Sequence, residues 1–164
     1  IYLNPENPVS DLTIEQLSGI FSGNITNWKE LGGLDDSILV VIRPPTSGTY
    51  YYLKSHILGE GEYSGKAITL PTTKKVIEFV RFNRNAIGYG GIAYGDLVKQ
   101  ARINGISANE ENVRLFKYPL TRYLYLYTID KPQGQVKQFI NWILEREGQK
   151  TVREIGYIPI WEKN

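Results

Sequence analysis

The sequence contains no cysteine and no methionine, and its one histidine is His56. Without cysteine there is no disulfide, no thiolate metal site and no sulfur nucleophile. A lone histidine supplies neither the clustered ligands of a zinc site nor a triad, which also needs a nucleophile and an orienting acid. His56 therefore reads as an ordinary helix residue, and the sequence predicts no metal and no cofactor. A dominant charge sign is missing too: 19 Lys and Arg stand against 17 Asp and Glu, interspersed, for a net charge of +2. That balance offers no basis for a nucleic-acid or membrane-surface partner. The apolar runs are far shorter than a membrane span requires. There is no Gly-Lys-Ser/Thr phosphate loop, and Gly88-Tyr89-Gly90-Gly91 lacks the spacing of a dinucleotide fingerprint, so these glycines read as a tight turn. The pairs Asp35-Asp36 and Glu110-Glu111 fall in loop-like sequence and read as solvated surface.

What is present is an ordinary globular composition, with 164 residues of which 41% are hydrophobic and 22% charged. That length suits one domain with a real core. The 12 tyrosines are spread through every segment and read mostly as packing at the edge of the core, where the hydroxyl stays wet. Ile1-Tyr2-Leu3 reads as the end of a strand that starts further upstream, and Asn4 to Pro8 as an extended crossing segment. Thr13-Ile14-Glu15-Gln16 is a capping box opening a helix with Ile14, Leu17, Ile20 and Phe21 on one face. Asn27 to Leu31 is a short capped turn stopped by Gly32-Gly33. Further helices are predicted from about Ser47 to Leu58, from Thr72 or Thr73 to Phe82 with Val76, Ile77 and Val80 inward, and from Ile92 to Ala101. Asn104 to Asn112 reads as loop and Tyr123 to Tyr127 as a long strand apolar on both faces. The positions Val136, Phe139, Ile140, Ile143 and Leu144 trace an amphipathic helix with Gly148 at its C-cap, before a last short helix with Val152 and Ile155 and an apolar tail ending at Trp161. Alternating strands and helices mean an α/β fold.

The most informative stretch is Ile38 to Thr49. Five consecutive aliphatic residues, Ile38 to Ile42, fit a strand covered on both faces. Pro44 and Pro45 stop it, and Ser47 is a suitable N-cap for the helix that follows. The free N–H groups and positive dipole end of a helix attract oxyanions, and Arg43 adds a planar cationic fork from the strand end. From these residues alone, an anion site and a plain strand–turn–helix junction are equally good readings.

Several motifs together decide between them. Asn7-Pro8-Val9-Ser10-Asp11-Leu12-Thr13 and the run from Ile20-Phe21-Ser22-Gly23 to Asn27-Trp28-Lys29-Glu30-Leu31-Gly32-Gly33 come first. Arg43 with Ser47-Gly48-Thr49, Ala86-Ile87-Gly88-Tyr89, Tyr118-Pro119-Leu120-Thr121-Arg122, and finally Glu147-Gly148-Gln149 with Gly156-Tyr157 follow in order. In this set the chain resembles the phosphate-binding proteins of bacterial phosphate ABC transporters, in the periplasmic type II solute-binding family.

The resemblance implies a three-layer αβα lobe of the type II periplasmic-binding-protein fold. Residues 12–118 would form the inner lobe, and a return strand and helices would occupy 119–164. The family closes a two-domain clamp on a dehydrated phosphate held by hydrogen bonds, and its arginine, serine, glycine and threonine match Arg43, Ser47, Gly48 and Thr49. The implied function is binding of inorganic phosphate for an ABC importer, without catalysis, in a periplasmic or extracellular setting. A lipid anchor on the full-length parent is left open. The implied partners are phosphate, a membrane permease and the family's N-terminal lobe, which these residues do not include; the lobe face left uncovered invites self-association. The pattern departs from the family at Pro45, where many relatives carry an acid that pairs with the arginine, at Thr46, and at Tyr50 and Leu53. The support of Arg43 must then come from elsewhere. Binding of sulfate, molybdate or tungstate, a sensor or interaction role, and a phosphoryl-handling enzyme on the same lobe are the alternatives.

Overall fold

The computed structural model describes residues 1–160, apart from the side chain of Asp96. Along the chain run β1 (Tyr2–Leu3), β2 (Asp11–Leu12), α1 (Ile14–Ser22), a 3-10 turn (Trp28–Leu31), β3 (Leu39–Ile42), and α2 (Gly48–Leu53), which continues as a π-helical turn (Lys54–Leu58). Then come β4 (Ile68–Thr69), α3 (Thr73–Phe82), β5 (Ala86–Gly88), a 3-10 stretch (Ile92–Leu97), β6 (Lys99–Gln100), β7 (Arg102–Ile103), α4 (Glu110–Arg114), α5 (Gly134–Leu144) and α6 (Arg146–Glu154). The chain forms two units, Ile1–Leu120 and Thr121 onward.

In the first unit β3 lies inside a five-stranded sheet of order β4-β3-β5-β1-β6. It pairs parallel with β4 and β5, while β1 pairs antiparallel with β5 and β6. Successive side chains of a strand point to opposite faces, and β3 uses both. Val40 and Ile42 pack with Leu17, Ile20 and Phe21 of α1 and with Leu53 and Ile57. Val41 packs on the other side with Val76, Ile77 and Val80 of α3. Helices therefore cover both faces of the sheet, giving a three-layer α/β arrangement. β2 and β7 form a separate parallel pair.

The local signals at the helix ends are realised. Thr13 and Gln16 make the capping box of α1, and Gly23 ends it with φ +84°. Asn27 and Glu30 make a second capping box on the 3-10 turn, ended by Gly32 at φ +75°. Trp28 is wholly buried, and its Nε1–H donates to the Asn85 carbonyl at 2.9 Å. The same carbonyl accepts from Leu39 N at 3.0 Å, so the tryptophan holds the start of β3 against the end of the loop before β5.

Elsewhere the structure corrects the sequence expectations. Gly88 and Gly90 have no positive φ, so these glycines serve close packing rather than a left-handed turn. A Cβ on Gly88 would lie 2.6 Å from Val76 Cγ1 and 3.2 Å from Val80 Cγ2. Gly88→Ala is therefore expected to destabilise the first unit by about 1–3 kcal/mol, the usual cost of overpacking, read as a lower urea midpoint. The helix expected over Ile92 to Ala101 stops at Leu97, because Val98 is extended and Lys99–Gln100 pair with Tyr2–Leu3 instead. Asn4 to Pro8 is not extended but turned: Asn7 N donates to Asn4 O, and the Asn4 and Asn7 side chains accept from Glu6 N and Val9 N. Glu110 and Glu111 open α4 rather than a loop, with Asn109 as its cap.

In the second unit the expected strand Tyr123 to Tyr127 is absent. The segment finds no ladder partner among the described residues, and all five side chains are exposed. Its tyrosine rings instead neighbour one another, at 6.1 Å for Tyr123–Tyr125 and 6.2 Å for Tyr125–Tyr127. Gly148 is not a C-cap but lies inside α6, because α5 already ends at Leu144. Its missing side chain lets the backbone of α6 approach Trp142 and Ile143, where a Cβ would overlap the Trp142 carbonyl oxygen. Buried Gln149 clips the corner, donating to the Ile143 carbonyl at 2.7 Å and accepting from Ile160 N at 2.8 Å. Gly156, at φ +89°, closes α6. The tail residue Trp161 lies outside the described residues.

Candidate functional site

Arg43 follows the last residue of β3, and its main-chain N–H donates to the hydroxyl of Tyr89 at 3.0 Å. Its guanidinium is held at two points, with Nη1 donating to Thr73 Oγ1 at 2.9 Å and Nη2 to the Pro71 carbonyl at 3.0 Å. Nε is buried with no hydrogen-bond partner. No ion pair among the described residues includes Arg43. The cationic charge is thus fixed in orientation by neutral acceptors and not cancelled by a carboxylate.

From Arg43 the chain turns through Pro44, and Ser47 N donates to the Pro44 carbonyl at 2.9 Å. Ser47 holds the N-cap position of α2 with extended backbone, and its carbonyl accepts from Tyr50 N and Tyr51 N. The sequence predicted that its side chain would cap the helix. It does not: the Ser47 hydroxyl makes no capping bond, although the residue is buried. The N–H groups of Gly48 and Thr49 stand ahead of the first intrahelical acceptor of α2. Residues 43–49 therefore carry the arginine fork, two hydroxyls and two helix-start amides in one short stretch of chain. Each can donate a hydrogen bond, and such a set suits an oxyanion.

Aromatic side chains back the loop. Tyr89 is buried, packs edge-on to Phe21 at 5.8 Å, and lies beside Tyr63. The Tyr63 hydroxyl donates to the Tyr50 carbonyl of α2 at 3.0 Å, and the two rings sit 4.7 Å apart. Tyr50 and Leu53, the departures noted in the sequence, belong to this packing, Leu53 as a core residue. Burial, foremost among the causes, pushes the Tyr89 hydroxyl above its ordinary value of 10.0, against the opposing bond from Arg43 N. Burial likewise raises Tyr2, Tyr63 and Tyr118. A raised folded-state value means that the folded chain holds these protons longer than the unfolded chain. The stabilisation is complete below about pH 10, the ordinary value for tyrosine, and is lost as pH rises beyond it. Urea midpoints taken from pH 8 to 11 should accordingly fall above pH 10, and Tyr89→Phe should flatten that fall.

Thr73, Pro71 and Tyr89 were not assigned to the site from sequence. The paired Thr72-Thr73 was the available signal: Thr72 caps α3, accepting from Lys75 N at 3.2 Å, which leaves the second hydroxyl for Arg43. His56 is exposed on the π-helical turn with Nδ1 2.8 Å from the Tyr52 carbonyl, and no ion pair among the described residues includes it. Among the described residues no group of three or more His, Cys, Asp or Glu is placed to hold a metal.

A family model described as a PBP superfamily domain matches residues 1–147. The chain belongs to the PBP superfamily. Among solved structures, a phosphate ABC transporter substrate-binding protein with bound phosphate from Clostridium perfringens is 34% identical, with a TM-score of 0.87 over 98% of this chain and 67% of that one. An ABC-type phosphate transport receptor from Vibrio cholerae is 32% identical, with a TM-score of 0.85 over 96% of this chain and 67% of that one. The phosphate-binding protein PstS of Bacillus subtilis is 34% identical over 96% of this chain and 53% of its own length. The chain thus spans about half the length of the curated PBP relatives it matches.

Proposed function

We propose that this PBP chain binds inorganic phosphate as part of the extracytoplasmic substrate-binding component of a phosphate ABC importer, supplying one half of the anion site. The observation that carries this reading is the stretch after β3, in which an Arg43 guanidinium held by neutral acceptors is followed by Ser47, Gly48 and Thr49 at the start of α2. In this account Arg43 gives paired N–H donors, Ser47 and Thr49 give hydroxyls, and Gly48 gives a main-chain N–H at the helix start. Donors fixed in this way favour a fully charged oxyanion, because each one left unpaired next to a desolvated ligand is costly. The names of the relatives support phosphate as that oxyanion and a permease as the partner.

The role is binding and delivery, not turnover, and the setting is the periplasm or the outer cell surface. The other half of the clamp comes from the part of the relatives' length that this chain does not span. The exposed tract Tyr123 to Ile129 is the surface through which the chain alone would self-associate.

Competition binding tests the ligand. With labelled phosphate on the full-length protein, unlabelled phosphate is expected to displace the label at lower concentration than sulfate, molybdate or tungstate. If another of these displaces it more effectively, the site belongs to that oxyanion. The 164-residue chain alone is expected to bind in the millimolar range or weaker, since one lobe cannot exclude water from both sides of the ligand.

A further inference from the structure

We infer that Thr73 is a positioning residue of the anion site, fixing the plane of the Arg43 guanidinium from the start of α3; this rests on the proposed phosphate-binding function. The two acceptors that hold Arg43, Thr73 Oγ1 and Pro71 O, sit two residues apart on the approach to α3 and engage different terminal nitrogens. Two separated contacts on a planar group remove rotation about the long side chain, which a single contact would leave free. Both acceptors are neutral, and no carboxylate forms an ion pair with Arg43 among the described residues. The support therefore orients the guanidinium without cancelling its charge, and the donors not used by Thr73 and Pro71 stay available for an anion.

The packing around Thr73 is built for this placement. A Cβ on Gly90 would lie 2.5 Å from Thr73 Cγ2 and 2.7 Å from the Tyr2 hydroxyl, so only glycine there leaves the threonine where it stands. The Tyr2 hydroxyl in turn donates to the Gly91 carbonyl at 2.5 Å, pinning that loop under α3. Thr73 has no capping duty to explain its hydroxyl, because Thr72 caps the helix.

The test is phosphate titration calorimetry on the full-length protein with Thr73→Val, Thr73→Ser, Arg43→Ala and the Thr73→Val/Arg43→Ala double variant. Thermal midpoints are recorded alongside. Thr73→Val keeps the shape and the Thr72 cap but loses the acceptor. It should weaken phosphate binding by about ten- to a hundredfold, the loss of one hydrogen bond to a charged group. Thr73→Ser should stay within about threefold of wild type, since the acceptor remains. In the Arg43→Ala background Thr73→Val should change the affinity by less than about twofold, because the two side chains act as one unit. A residue important only for folding would lower the thermal midpoint and would add its effect independently of Arg43. Undiminished affinity in Thr73→Val, or full additivity in the double variant, overturns the inference while leaving phosphate binding intact. If the wild-type protein binds no phosphate, the proposed function falls, and this inference falls with it.

Discussion

Arg43→Ala in the full-length protein is expected to reduce phosphate affinity by roughly a hundred- to a thousandfold, the usual consequence of removing one member of a buried, hydrogen-bonded charge pair. The guanidinium is the only formal positive charge at the junction formed by Arg43, Ser47, Gly48 and Thr49. The other donors there are neutral. Fold stability should change little, since the side chain is only partly buried and reaches out to Thr73 and Pro71. Arg43→Lys should not rescue the loss, because a single ammonium cannot span both of those acceptors and still present paired donors to a ligand. Calorimetric titration with phosphate measures this. Affinity in Arg43→Ala within about threefold of wild type would mean that the arginine does not touch the ligand.

The second large effect lies in the fold. Trp28→Ala should destabilise the first unit by about 3–5 kcal/mol, as large aromatic truncations in cores do. That is a large share of the total for a typical domain. Among the described residues Trp28 is the largest fully buried side chain, and its indole N–H and Leu39 N share the Asn85 carbonyl at the edge of β3. The alanine variant removes the indole from the buried cluster it shares with Val9 and Leu17, as well as this hydrogen bond. Trp28→Phe should cost less, retaining most of the volume but not the N–H. Urea unfolding at constant slope measures both. An alanine variant within about 1 kcal/mol of wild type would contradict the packing described for the tryptophan. Because Trp28 steadies the start of the strand that ends at Arg43, such loosening should also weaken ligand binding.

Local and periodic features of the chain are legible in its sequence, and features that depend on distant partners are not. The Thr13 capping box, the capped turn from Asn27 stopped at Gly32, and the two-sided strand before Arg43 are local or periodic features, and they appear in the structure where the pattern placed them. Tyr123 to Tyr127 could not be read in the same way. Alternating aromatic and aliphatic residues mark extended chain, but a strand exists only where another strand supplies its ladder, and none is present here among the described residues. Gly88, Gly90 and Gly148 carried an ambiguous signal as well. Glycine in sequence suggests a turn, whereas these three are needed because a helix or an aromatic ring passes too close for a Cβ. At the site, the donors on one loop were legible because they are adjacent in sequence. The support of Arg43 was not, because Thr73 stands 30 residues away and is brought to the guanidinium by the β3–α3 packing.

The most direct test of the central claim is the amide spectrum of the isotopically labelled full-length protein during titration with phosphate. The largest shifts are expected on the main-chain N–H groups of Gly48 and Thr49, which lie ahead of the first helical acceptor. The Arg43 Nε–H, buried and unpaired, should move with them. Saturable binding of phosphate that leaves these three signals in place would contradict the account.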